Sequence, residues 1–128
     1  MSLDTNSTDR SYLYGQLLAV MEKAERDTYA PNESREPNAT RLQSVYCRRP
    51  LHTANQIENM LKQAYFPKLK PGSQIFYKNL IGEILNKITE CEKPEEANKP
   101  LGDTFVIGYY LQRNELYKSK QQNEEEAK

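Results

Sequence analysis

The stretch GSQIFYKNLIGEILNKIT, residues 72–89, sets the tightest limit on what this chain can fold into. Leu80, Ile84 and Ile88 fall at i, i+4 and i+8, and Tyr77, Ile81 and Leu85 make a second row beside them. Two adjacent apolar rows at a period near 3.6 fit one face of an α-helix, whereas a half-buried strand would alternate at a period of two. The helical period recurs along the chain and the strand period does not. The sequence therefore predicts an all-α protein, a single helical bundle of about five helices joined by short loops.

The remaining helices follow from caps and breakers. The first is expected from about Asp9 to Tyr29, with Leu13, Leu17, Val20, Met21 and Ala24 as its apolar stripe. Ser7 or Thr8 supplies its N-cap, and Asp9 suits the positive end of the helix dipole. Two prolines in APNESREPN end it. A short helix should start at Asn38 as N-cap and run to about Cys47, and Pro50 suits the first turn of the next. Ala54, Ile57, Leu61 and Ala64 form that helix's stripe. After residues 72–89 comes the charged loop CEKPEEANKPLG, then a last helix from about Asp103 to Lys118 with Phe105, Tyr109, Gln112 and Leu116 at helical spacing. The expected division is a flexible polar lead at 1–8, the bundle at 9–118, and a disordered charged tail at 119–128 with no apolar anchor. Gly15, Gly82 and Gly108 fall inside helices, where each costs about 1 kcal/mol relative to alanine. Close approach of another helix is the expected reason, and a flat face for another subunit the alternative. Of Tyr109 and Tyr110, one ring should enter the core and one hydroxyl should sit at its rim.

At 128 residues, 37% of them apolar, the chain suits one domain whose core comes from patterning rather than abundance. No apolar run reaches the roughly 20 residues of a membrane span, no signal peptide opens the sequence, and Cys47 and Cys91 stand outside any CxxC arrangement. A cytoplasmic protein with two free thiols and no membrane partner is expected. The formal net charge is zero, yet the charge is segregated. Residues 1–40 carry four basic and seven acidic groups, and residues 79–103 carry three and six. Between them, residues 41–78 carry Arg41, Arg48, Arg49, Lys62, Lys68, Lys70 and Lys78 against Glu58 alone. A polyanion feels the local patch and not the net charge. The competing expectation is that the acidic flanks fold back over the patch and cancel it.

Catalysis finds little to work with. His52 is the only histidine, which excludes two-histidine metal sites, and the five glycines are isolated, which excludes a phosphate-cradling loop. Cys47 and His52 are a conceivable nucleophile and base, but a helix break at Pro50 between them gives no defined geometry and no third orienting group stands out. No enzyme activity, metal or cofactor is expected. The basic segment instead reads as a nucleic-acid site: arginine forks suit phosphate oxygens, and lysines add mobile point charges. Arg41, Arg48 and Arg49 mark one end of a helix of about 16 residues, or roughly 24 Å, and Lys68 and Lys70 the other. Tyr46, Tyr65 and Phe66 are candidates for stacking bases, with core or rim packing as the more ordinary role. Nothing resembles a base-reading motif, so the target would be the phosphate backbone.

Four stretches come in a familiar order: YLYGQLLAVMEKAERD, then NAT at 38–40, then FYKNLIGEILNKI, then LGDTFVIGYYLQRNELYK. Together they resemble the C-terminal domain of the large subunit of type I-C CRISPR Cascade complexes, over about residues 11 to 118. In that family the segment is also made separately from an internal start, as the small subunit. The length and the lead at Met1 look like that product or like an excised domain. The most specific part is FVIGYYLQRNELY, in which Arg113 matches a family position, with a structural salt bridge or a subunit contact as its alternative roles. The resemblance implies a helical bundle without catalytic activity, sitting beside the guide-RNA filament and supporting assembly. It implies sequence-independent binding of target DNA and displaced strand during R-loop formation, because guide pairing supplies specificity. Implied partners are the large and backbone subunits, guide RNA and target DNA, with self-association of small subunits. A nucleic-acid-binding set of Arg41, Arg48, Arg49, Lys62, Lys68, Lys70, Lys78 and Arg113 follows. The alternative is a purely structural module whose basic segment docks an acidic face of a neighbouring protein.

Overall fold

The protein is described from a computed structural model covering residues 3–126, with side chains described as far as Lys118. Six α-helices appear among the described residues, and no strand: α1 (Arg10–Arg26), α2 (Asn38–Arg41), α3 (Gln43–Arg48), α4 (Pro50–Met60), α5 (Pro71–Cys91) and α6 (Thr104–Glu126). This is the all-α bundle expected, with the second predicted helix divided at Leu42 into α2 and α3. The charged tail predicted at 119–128 lies outside the described side chains.

The centre of the bundle is α1. Every residue from Ser11 to Glu25 is buried, because α5, α6, α2 and the α4 region surround it on all sides. Asp9, not Ser7 or Thr8, is its N-cap, accepting from the Ser11 amide at 3.0 Å, while Ser7 Oγ accepts from the Asp9 amide at 3.2 Å. A fully buried helix must satisfy its own polar side chains, and tyrosines do much of that here. Glu22 accepts from the Tyr109 hydroxyl at 2.7 Å and from the Thr40 hydroxyl at 2.6 Å. Glu25 accepts from the Tyr29 hydroxyl and, through both oxygens, from the Asn38 amide at 3.0 and 3.1 Å. A carboxylate from α1 thus meets the first amide of α2, where the helix dipole favours negative charge. Gln16 Nε2 donates to Gln112 Oε1 at 3.2 Å.

These bonds make a testable point about the core. Tyr109→Phe keeps the ring that packs at the α1–α6 seam but strips Glu22 of one of its two hydroxyl donors. Unmaking a hydrogen bond to a buried charge costs about 1–3 kcal/mol, so the unfolding free energy should fall by that amount and the urea midpoint with it. An unchanged midpoint would mean that Glu22 does not depend on the tyrosine.

Helix α6 lies along α1 at close range. A Cβ added at Gly15 would stand 2.8 Å from the Tyr109 amide nitrogen, and one at Gly108 would stand 2.9 Å from the Tyr12 carbonyl carbon. The two glycines therefore serve close helix approach, as expected. Gly82 does not: nothing lies within 4 Å of where its Cβ would be. The predicted α6 row of Phe105, Tyr109, Gln112 and Leu116 is buried throughout, Tyr109 goes inward, and Tyr110 stays exposed.

The seam of α5 runs through Tyr77, Ile81, Ile84 and Ile88, between the two rows read from the sequence, leaving Leu80 and Leu85 half-buried at its edges. After Met60, α4 continues as one π-helical turn, Leu61–Tyr65, and a 3-10 turn, Phe66–Lys68. The wider turn shifts the register, so the inward position after Leu61 passes to Tyr65 and Ala64 is exposed.

Candidate nucleic-acid interface

The seven cations of the central segment are all exposed, and the fold sorts them into groups. Arg48 and Arg49 stand at the α3–α4 corner, where Pro50 occupies the first position of α4 and is itself buried. The charged loop after α5 braces this corner through its backbone. The Leu101 amide donates to the Cys47 carbonyl at 2.8 Å, the Leu51 amide to the Ala97 carbonyl at 3.2 Å, and the His52 amide to Asn98 Oδ1 at 3.0 Å. The corner is therefore a fixed mount for two guanidinium groups that make no ion pair or side-chain hydrogen bond with described residues.

The carboxylates of that loop turn elsewhere. Glu92 pairs with Arg10 at 2.9 Å and accepts from the Tyr14 hydroxyl at 3.0 Å, and Glu96 accepts from the Lys93 amide at 3.0 Å. Among the described residues, the only ion pair made by the central cations is Lys62 with Glu58, at 2.9 Å and within the same segment. The acidic flanks thus approach the patch without pairing with it.

Lys62 and Lys78, on different helical segments, line one groove of about 270 Å³ together with Phe66 and Gly82. Lys78 Nζ lies 5.6 Å from the Phe66 ring centre. Lys68 Nζ stands 5.7 Å from the Tyr65 ring centre, on the far side of the helical run from Pro50 to Tyr65. Lys70 is the N-cap residue of α5, and Arg41 donates to Asn38 Oδ1 one turn back. Arg113 is set apart on α6, half-buried, its guanidinium 5.5 Å from the Tyr117 ring centre. The three aromatic residues considered for base stacking are core residues: Tyr46, Tyr65 and Phe66 are all buried, and Tyr46 donates to the Tyr14 carbonyl at 2.6 Å.

A family model described as CRISPR-associated protein (Cas_Csd1) matches residues 1–117. The chain belongs to the Cas_Csd1 family. The match takes in all eight predicted cations and both glycines of the α1–α6 crossing. Membership is consistent with a type I-C Cascade subunit, which the sequence resemblance implied. No curated protein matches the chain.

Within this Cas_Csd1 chain, sequence reasoning missed Arg35, which belongs to the acidic first third. Its guanidinium lies 4.8 Å from the Tyr29 ring centre and 5.9 Å from that of Tyr65, and it donates to the Tyr65 hydroxyl at 3.2 Å. It therefore joins Lys68 around one tyrosine, and only the tertiary fold reveals the pairing. At the Cys47–His52 stretch, burial pushes the Cys47 thiol up, away from the thiolate that a nucleophile needs. His52 is exposed on the other side of Pro50. Among the described residues no helix is long and apolar enough to cross a membrane.

Proposed function

We propose that this protein is the non-catalytic small subunit of a type I-C Cascade complex in the cytoplasm, where it holds nucleic acid by the phosphate backbone. The observation that supports this most is the central basic segment, whose only ion pair among the described residues is internal while the acidic loop braces its corner through backbone groups. Phosphate oxygens are acceptors of the kind that the corner arginines do not find among the described residues. Arg48 and Arg49, on a rigid corner, are its best-placed forks. Lys62, Lys68, Lys70 and Lys78 extend the charge along the turns after α4 and into α5, and Arg35 adds to it beside Tyr65. Target DNA and the displaced strand are the ligands this reading assigns, with guide pairing supplying sequence choice.

The test is anisotropy of a labelled single-stranded DNA of about 30 nucleotides at several salt concentrations. Wild type should bind with a log–log salt slope near −0.7 for each phosphate neutralised. An Arg48→Glu/Arg49→Glu variant that keeps its helical circular dichroism should bind at least tenfold more weakly, with a shallower slope. Equal binding by the two proteins would remove the corner from the interface. No binding by wild type at low salt would favour the structural reading instead.

That second reading has its own observation. Val106, Ile107 and Tyr110 on α6 are exposed, as are Ile75 and Phe76 at the start of α5. Two apolar faces on one small domain suit contacts with neighbouring subunits. The α6 face carries none of the central cations, so assembly through it is compatible with phosphate binding.

A further inference from the structure

The groove between α5 and the end of α4 combines two features that no single stretch of sequence contains. Its floor is apolar: Phe66 and Ile81 are buried beneath it and Leu85 closes one side. Its rim carries Lys62 and Lys78, with Glu58 holding Lys62 in an ion pair, so the rim keeps a net positive charge. The opening exists because residue 82 is glycine. Unlike Gly15 and Gly108, Gly82 has no neighbour within 4 Å of a Cβ position, so no contact within the described chain requires the missing side chain. A volume of about 270 Å³ falls below the ~300–1,000 Å³ of pockets for whole small ligands. The occupant is therefore one ring system or one side chain of something larger.

We propose that this groove receives an unpaired base of a single-stranded nucleic acid, with the flanking phosphates against Lys62 and Lys78. The inference rests on the phosphate-binding reading above and adds to it a preference for single strands over duplex. Charge complementarity selects the occupant. A nucleotide presents a flat, poorly hydrated ring face with an anion on either side of it in every repeat of the chain, which matches an apolar floor between two ammonium groups. A base paired in a duplex has no face to offer. Most of the surface inside the groove is apolar, and its hydrogen-bonding groups are the charged ends at the rim, so the groove tolerates any base, as stacking platforms do.

The experiment compares wild type and Gly82→Leu on three labelled ligands at one salt concentration: a 30-nucleotide single strand, the same strand with abasic sites, and the duplex. Leucine fills the groove without changing a charge. It also replaces a helix-interior glycine with a good helix former, so the variant should melt higher than wild type. Gly82→Met serves as a second filler. Wild type should bind the base-bearing strand about tenfold more tightly than the abasic strand, within the range that one stacked base gives. Both variants should lose that increment while keeping the abasic affinity and its salt slope. If wild type binds both strands equally, the inference falls, the phosphate reading stands, and the groove is left to a side chain of a protein partner. If the increment survives in both variants, the base is held elsewhere and the inference falls. If wild type binds no strand at all, the functional reading falls and the inference with it.

Discussion

Alanine at Gly108 should destabilise this protein by about 3 kcal/mol or more, although alanine is the better helix former by about 1 kcal/mol. The added methyl would stand 2.9 Å from the Tyr12 carbonyl carbon and 3.0 Å from its Cα, and closer still to the carbonyl oxygen. Those are backbone atoms of a helix buried on every side, so no side chain can swing away to make room. The helices must separate, and the seam of Phe105, Tyr109, Gln112 and Leu116 then loses contact along its length. Overpacking a well-filled core costs about 1–3 kcal/mol even where side chains can adjust, and here they cannot. Gly15→Ala should behave alike, since its methyl meets the Phe105 carbonyl and the Tyr109 amide of the same crossing. The double variant should cost less than the two singles together, because the first methyl already opens the space for the second. Urea unfolding followed by ellipticity measures all three. Gly82→Ala, in open space, is the control, and should gain about 1 kcal/mol. A Gly108→Ala midpoint at or above that of wild type would falsify the close-crossing account.

How much of this was legible beforehand depends on how far away each residue's partners lie. Helices α5 and α6 could be read from spacing because their polar and apolar faces differ. The whole predicted α6 row is buried. Helix α1 was read as amphipathic, with five apolar residues inward, and it is buried all round. Glu22 and Glu25 look like a solvated face because the groups that let them be buried come from other elements: Thr40 and Tyr109 reach Glu22, and Asn38 reaches Glu25. The exchange of Ala64 for Tyr65 was invisible for a different reason. A π turn adds to the helical period, and no residue type announces it. At the candidate site the cations themselves were legible, since charge segregation is a property of sequence. Their grouping was not. Lys62 meets Lys78, and Arg35 meets Lys68, only through packing of helices on α1.

The same tyrosine bonds make the protein sensitive to alkali. Burial, as the leading cause in each, raises the hydroxyl pKa of Tyr14, Tyr29, Tyr46, Tyr77 and Tyr109. In four of them a hydrogen-bonded carboxylate adds to the rise: Glu92 at Tyr14, Glu25 at Tyr29, Asp27 at Tyr77 and Glu22 at Tyr109. Tyr29 is pushed up to about 12, Tyr14, Tyr77 and Tyr109 higher than that, and Tyr46 well above the ordinary tyrosine value. Their protons are held in the folded state past pH 10, where an unfolded chain releases them. Stability from these bonds is therefore whole below about pH 10 and drains away as pH rises towards the folded values. Tyr14, Tyr46, Tyr77 and Tyr109 are each less than a tenth exposed, and four such groups together remove about 5 kcal/mol per pH unit above 10. A domain of this size has about 5–15 kcal/mol in all, so it should unfold cooperatively between about pH 10 and pH 12. Tyrosinate absorbance and loss of ellipticity should rise together, in a transition steeper than a single titration. Tyr77→Phe should flatten it by removing one of the linked protons, at some cost in stability near neutral pH. Gradual tyrosinate formation with the helices intact would show that the buried hydroxyls can ionise where they stand, and that the carboxylates beside them do not hold the fold closed.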